Sequence, residues 1–170
     1  MSVTNKKNKY TALIGIGSNI DPEKNIRLAI RRLSQEVDIL SCSRVWQNPA
    51  VGSTGPDYLN AALLVESEMG CHELKHDILL PLESNLNRVR TSNKNADRTI
   101  DLDILLFDEN CLDEEMWTQP HVSIPCAEII PHLKNPKTKE SLQAAAERLF
   151  PGEGFFLRED IDLCSLYQGP

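Results

Sequence analysis

Arg98-Thr-Ile-Asp101-Leu-Asp103-Ile-Leu-Leu-Phe107 alternates apolar with polar side chains, and that alternation decides the fold. Ile100, Leu102, Ile104 and Leu106 fall on one face of an extended chain, and Asp101 and Asp103 leave from the other. The pattern predicts a strand over 99–107 with its apolar face on a core. Upstream, residues 71–87 read as a helix with Leu74, Ile78, Leu82 and Leu86 on one side, and Pro81 predicts a kink or a boundary within it. Residues 58–66 read as a strand behind a loop rich in Gly and Pro. Residues 37–46 form another strand, ended by Asn48-Pro49. Asp21 before Pro22 signals a helix start, with Asp capping free amides and Pro in the first turn. Ile26, Ala29, Ile30 and Leu33 then keep helical spacing while Arg27, Arg31 and Arg32 face away. Residues 10–16 make the first strand, stopped by Gly17-Ser18-Asn19.

The resulting order, β-α-β-β-α-β, is the split pattern of ferredoxin-like folds. The expected fold class is α+β with a mostly antiparallel sheet, plus an extra hairpin within 110–118 and a C-terminal helix near 138–149. The length of 170 residues suits a single domain, 1–170, with residues 1–9 as a flexible start.

Composition narrows the function. Lys and Arg number 18 against 25 Asp and Glu, a net charge of −7, which argues against a large nucleic-acid footprint. An RNA-binding ferredoxin-like module would also need paired stacking aromatics that the strands lack. No apolar run approaches the ~20 residues that span a bilayer, so no membrane role is expected. The basic start, MSVTNKKNKY, is followed by a glycine-broken apolar stretch without a cleavage pattern, so no secretory signal is expected. Cys42, Cys71, Cys111, Cys126 and Cys164 are odd in number and form no CxxC pair, which suits reduced thiols in a cytoplasm.

Asp101 and Asp103 stand two apart on a strand, about 6–7 Å at the backbone, with both carboxylates on one face. Two hard oxygen donors on a rigid strand suit Mg²⁺, which takes one or two carboxylates plus substrate phosphates. Arg88, Arg90 and Arg98 lie close upstream to meet phosphate charge. The plainer alternative is a solvated strand face, although two Asp on one face repel unless a cation offsets them. Tyr58 and Asn60 share a strand face. A ring to stack on and an amide that both donates and accepts suit a flat heterocycle, with the backbone of Asn48, Pro49 and Val51 at its edge; the alternative is a half-buried Tyr and a turn Asn. Gly15-Ile-Gly17-Ser18-Asn19 is neither a GxGxxG nor a P-loop and reads better as a strand-to-helix turn. Glu83 either holds a hydroxyl or ribose or is a solvated helical Glu. His121 follows Gln119-Pro120 in what reads as a loop, either donating to a nucleotide or serving structure. His72 and His76 have metal spacing but no third ligand.

Taken in order, these pieces resemble the 6-hydroxymethyl-7,8-dihydropterin pyrophosphokinase family of the folate pathway. The resemblance runs from about Ala12 to Pro131. It rests on Gly15-Ile-Gly-Ser-Asn19, the Asn48-Pro-x-x-Gly52 loop, Pro56-Asp-Tyr-Leu-Asn60, Glu83-x(4)-Arg88-Val-Arg90, Arg98 to Phe107, and Pro120-His121 followed by Ala127-Glu-Ile-Ile-Pro131. It implies transfer of a pyrophosphoryl unit from ATP to the pterin's hydroxymethyl group, leaving AMP. Asp101 and Asp103 would hold two Mg²⁺ ions; Arg88, Arg90 and Arg98 would neutralise the transferring group. Glu83, Ile104 and His121 would lie on the nucleotide. Tyr58 and Asn60 would bind the pterin with the backbone of Asn48, Pro49 and Val51. A dihydropteroate synthase or other folate-pathway protein is the implied partner.

Three departures stand out. The family's R-W-G-P-R loop is Lys94-Asn-Ala-Asp-Arg98 here. The segment from His121 to Glu128 is several residues short, which removes an Arg and the Phe that would sandwich the pterin against Tyr58, with Phe155 or Phe156 as candidate replacements. Pro81 stands two residues before Glu83. The alternative function is a non-catalytic relative that binds nucleotide or pterin and acts through a partner; the shortened segment favours it and intact Asp101 and Asp103 count against it. Residues 132–170 match the family poorly, as an added strand or a docking tail.

Overall fold

Along β1 (Tyr10–Ser18), Ala12, Ile14 and Ile16 alternate with Leu13, Gly15 and Gly17, so one face is branched and apolar and the other is cut down to glycine towards its end. The computed structural model, which describes residues 8–50, 52, 54–92 and 96–167, places this strand at the centre of the sheet. β4 (Tyr58–Ser67) and β5 (Asp101–Phe107) flank it, both antiparallel. β2 (Asp38–Cys42) and β3 (Trp46–Asn48) follow one another along the far side of β4. β6 (Asn110–Cys111) closes a hairpin on β5, and β7 (Phe156–Leu157) adds to β3. The expected α+β fold with an antiparallel sheet is the one observed, and β7 makes the C-terminal extension an added strand.

The helices fall on two sides. α1 (Pro22–Leu33) and the helical run 71–85 cover the face carrying Ala12, Ile14, Ile16, Leu63, Val65, Ile100, Leu102 and Ile104. α4 (Pro120–Ile129) and α5 (Leu142–Leu149) cover part of the other, around Leu13, Ala62, Leu105, Leu106 and Met116.

Several local expectations are corrected. The strand expected over 37–46 is broken, because Ser43 intervenes between β2 and β3: its N–H donates to the Ala62 carbonyl (2.9 Å) and its hydroxyl accepts the Ala62 N–H (2.8 Å). Leu106 does not share a face with Ile104. A register shift between Leu13 and Ile14 of β1 leaves Leu105 extra in β5, turning Leu105 and Leu106 both to the α4 side. Asp21 precedes α1 in a left-handed conformation (φ 43°) and makes no side-chain cap. Lys9, expected to be flexible, pairs with Glu66 at 2.5 Å, while residues 1–7 lie outside the described residues.

Pro81 marks a boundary, as expected, but of an unexpected kind. The run 71–85 consists of α2 (Cys71–Glu73), a π-helical turn over Leu74–Leu79 and α3 (Leu80–Asn85). The Leu80 N–H reaches five residues back, to the Lys75 carbonyl. The proline ring cannot donate and would crowd the carbonyl four residues before it, and the wider turn relieves that conflict. The extra residue moves Leu79 into the buried position expected for Ile78.

α4 replaces the loop expected around His121. It has prolines at positions 120 and 125, and Ser123, Ile124, Pro125 and Cys126 are all buried. A helix enclosed between a sheet and a second helix lacks the one-sided apolar stripe that betrays helices in sequence. No helix of the described residues is long and apolar enough to cross a membrane, and all five cysteines are free thiols.

Candidate active site

The glycine face of β1 forms the floor of a cavity of about 510 Å³. Gly17 pairs with Asn60 of β4 on one side and with Asp101 of β5 on the other; Gly15 pairs with Ala62 and Asp103. A methyl group on Gly17 would stand 3.2 Å from Asn60 Oδ1, and one on Gly15 would stand 3.0 Å from Leu105 Cδ1. The two glycines therefore hold open the space between the amide of Asn60 and the carboxylates of β5. That role was hidden in sequence, where they read as a turn.

The carboxylates differ in their surroundings. Asp101 is nearly enclosed: Arg88 Nη1 forms an ion pair with Oδ1 at 2.6 Å and Arg98 Nη1 donates to Oδ2. Asp103 is half exposed and receives Lys75 Nζ at 2.9 Å. Arg88 also donates to the Ile100 carbonyl at 2.6 Å, and its Nε is buried without a hydrogen-bond partner.

On the opposite wall, Asn60 Nδ2 donates to Asn48 Oδ1 at 2.6 Å, and Asn48 Nδ2 donates to the Pro49 carbonyl. These bonds fix the plane of the Asn60 amide and turn its oxygen towards Gly17. Tyr58 stands at the cavity's edge with its hydroxyl 3.4 Å from the Ala96 carbonyl, and burial pushes that hydroxyl's pKa up.

The cavity thus gathers Arg98, Asp101, Asp103, Asn48, Tyr58, Asn60 and His121 from the residues singled out in sequence. Arg88 lies one bond behind, through Asp101. The others are placed elsewhere. Glu83, expected on a nucleotide, is 1% exposed: Oε1 accepts the Leu102 N–H at 2.8 Å and Oε2 accepts Arg90 Nη2 at 2.5 Å, so both oxygens are spent inside the protein. Burial pushes its pKa up, against the pull of the Leu102 N–H and the arginines. Arg90 is held out on Glu83. The Ile104 side chain packs in the α1-side core, because it alternates with Asp103 along the strand. Pro49 points away, towards Gly154. Val51 lies outside the described residues. Phe155 packs on Phe150, which packs on Trp46, and Phe156 is exposed; neither Phe155 nor Phe156 lines the cavity opposite Tyr58.

Asn19 was read only as part of a turn. Its Oδ1 accepts the Arg98 N–H at 2.6 Å, and its Nδ2 donates to Asp97 at 2.7 Å and to the Pro56 carbonyl at 3.3 Å. The Arg98 carbonyl in turn accepts the N–H groups of Asn19 and Ile20. This clasp fixes the backbone from which Arg98 reaches Asp101. Asn19→Ala would leave buried groups unpaired and is expected to cost about 1–3 kcal/mol in urea unfolding.

On the α4 wall, burial and then Arg98 both push the His121 imidazole below its ordinary pKa of 6.5. The unfolded chain therefore binds a proton more readily than the folded one. His121 contributes stability that is present above pH 6.5 and is lost as pH falls through the lowered value. Thermal unfolding across pH 5–7 should show that loss, and His121→Gln should flatten it. The carboxyl of Glu115, which also lines the cavity, is pushed up by burial first and then by Asp113 and Asp103.

Glu128 of α4 fixes the outer wall, accepting the Arg44 backbone N–H (2.8 Å), the Arg44 guanidinium (2.7 and 3.0 Å) and Trp46 Nε1 (3.0 Å). A cavity of this size, lined on one side by ion-paired carboxylates and on the other by a ring and a fixed amide, suits a small flat ligand beside a phosphate chain.

Comparison with known proteins leads to the same place. The family described as 7,8-dihydro-6-hydroxymethylpterin-pyrophosphokinase matches residues 13–131. A Campylobacter jejuni 2-amino-4-hydroxy-6-hydroxymethyldihydropteridine pyrophosphokinase is 37% identical over 117 residues, 66% of this chain and 73% of the relative. The Synechocystis protein of the same description is 29% identical over 151 residues, 82% and 76% of the two chains. Among solved structures, the Plasmodium falciparum HPPK-DHPS chain superposes with a TM-score of 0.64 at 8% identity. That alignment covers 85% of this chain but 45% of that one, so the present chain spans less than half of it. With 119 of its 170 residues inside the family match, the chain belongs to the 7,8-dihydro-6-hydroxymethylpterin-pyrophosphokinase family.

Proposed function

We propose that this chain transfers the pyrophosphoryl unit of ATP to the hydroxymethyl group of 6-hydroxymethyl-7,8-dihydropterin, releasing AMP. The observation that carries the reading is the opposition of Asn60 to Asp101 across the bare backbone of Gly17. A flat ring held at Asn60 and a phosphate chain held at Asp101 are neighbours across one strand, so the reacting groups meet by placement.

In this reading Tyr58 stacks on the pterin ring and the Asn60 amide pairs with its polar edge, oriented by Asn48 and aided by the backbone of Pro49 and Val51. Arg98 and Arg88 neutralise charge on the group in transit, with Arg90 further out. His121 donates to the nucleotide as a neutral imidazole. Ile104 takes part only through its backbone, and Glu83 acts as a brace.

Mg²⁺, two ions entering with ATP, fits Asp101 and Asp103. Both are hard oxygen donors on one strand face, and among the described residues no group of three or more His, Cys, Asp or Glu is arranged to hold a metal ion. A divalent ion here would complete its shell from water and substrate phosphate, as Mg²⁺ prefers. So held, Mg²⁺ would polarise the phosphates and lower the pKa of the attacking hydroxyl.

Free thiols throughout are consistent with work in the cytoplasm. The product, a pterin diphosphate, carries a leaving group for an alkylation, so a dihydropteroate synthase or another folate-pathway protein is the partner we assign.

The test is AMP release from ATP, Mg²⁺ and the hydroxymethyl pterin, followed by chromatography. AMP formed in step with pterin diphosphate supports the reading. Nucleotide and pterin binding without AMP would replace it with a binding protein that acts through a partner.

A further inference from the structure

Leu102 lies between the two aspartates, on the outer edge of β5. The β6 hairpin pairs β5 only at Leu106 and Phe107, so at Leu102 that edge meets the helical run instead. Its N–H donates to Glu83 Oε1 at 2.8 Å, and its carbonyl accepts Lys75 Nζ at 2.8 Å. The same ammonium continues to Asp103 Oδ1 at 2.9 Å. Lys75 is therefore aimed by two bonds at the carboxylate that the reading above gives to a cation.

Lys75 arrives there by way of the π-helical turn. It sits in Leu74–Leu79, and its own carbonyl accepts the five-residue bond from Leu80. Removing the extra residue of that turn would rotate Lys75 by about 100° relative to α3 and take it off Asp103. Turns of this kind gather at functional sites.

The two aspartates are also held by different chemistry. Asp101 is gripped by two guanidinium groups in a largely enclosed setting, whereas Asp103 has one flexible ammonium and is half exposed. A lysine is a compact point charge on a mobile stem, easily exchanged for another cation.

We infer that Lys75 is a positioning residue that serves as a displaceable counter-ion for Asp103: it holds the carboxylate ready and yields it to a divalent cation, thereby setting the cation concentration the site requires. The inference rests on the reading of Asp103 as a cation ligand.

The test is calorimetric titration of α,β-methylene-ATP at a series of Mg²⁺ concentrations, giving the half-saturating Mg²⁺. Lys75→Met should lower that value about fivefold, the scale of a partly exposed ion pair removed from competition. Lys75→Gln, which keeps a donor for the Leu102 carbonyl, should lower it similarly and guards against a local folding defect. Lys75→Arg should stay near the parent value. With Asp103→Asn in place, Lys75→Met should change nothing further. An unchanged or higher half-saturating Mg²⁺ in both neutral variants, while Asp103→Asn still weakens the Mg²⁺ dependence, overturns the role of Lys75 alone. If Asp103→Asn leaves the Mg²⁺ dependence intact, the cation-ligand reading and this inference fall together.

Discussion

Asp103→Ala is expected to lower AMP formation about a hundred- to a thousandfold while leaving the protein folded. The activity loss follows from removing one of two carboxylates that face the phosphate side of the cavity, a change comparable to deleting a principal electrostatic group of an active site. The fold is spared because Asp103 is half exposed and its ion pair with Lys75 is partly solvated. Such a pair contributes about 0.2–1 kcal/mol, which moves the unfolding midpoint of a chain of this size by roughly 2–4 °C at most. Asp101→Ala should behave differently. It strips the nearer of two acidic partners from Arg88, whose side chain is 9% exposed, so activity and stability should fall together. AMP assays and thermal unfolding on both variants separate the two cases; an active Asp103→Ala protein would remove the proposed reaction's phosphate site from β5.

Glu83→Ala is expected to be the most destabilising of the changes considered, by about 3–5 kcal/mol. Its carboxylate is enclosed with Arg88 3.7 Å away and Arg90 at 2.5 Å, so the alanine leaves the enclosed Arg88 with Asp101 as its remaining acidic partner. It also orphans the Leu102 N–H, which by itself costs about 1–3 kcal/mol. Urea unfolding should show the loss directly. Glu83→Gln should cost less, because its amide oxygen can still accept the Leu102 N–H and because burial already disfavours the charged carboxylate. A Gln variant as unstable as the Ala variant would mean that the charge, and not the strand contact, holds this corner. Either substitution should also slow AMP formation, since Leu102 carries Asp101 and Asp103 on either side.

The parts of this architecture legible in sequence are those written in local periodicity. Asp101 and Asp103 declared their shared face because a strand alternates strictly, and Ile26, Ala29, Ile30 and Leu33 declared α1. What escaped depends on residues far apart in the chain. The Asn19 clasp joins positions 79 apart, and the Lys75 contact joins positions 28 apart. Nothing in the local pattern names either partner. Leu106 was misplaced because a bulge breaks alternation without changing composition. α4 was missed because enclosure on several sides erases the polar stripe. Glu83 was misread for a related reason: a glutamate on a helix looks solvated until a strand edge and two arginines are seen to surround it.

The same two contacts at Leu102 have a consequence for solubility. An outer strand with open N–H and carbonyl groups is a template on which another chain can pair, and edge-to-edge pairing is a common start of aggregation. On β5 the Glu83 carboxylate takes the Leu102 N–H and the Lys75 ammonium takes its carbonyl, so at this point the edge is already capped by side chains of the helical run and offers a second strand nothing to pair with. The contacts that hold the strand between the two carboxylates thereby also keep that edge from recruiting its own copies.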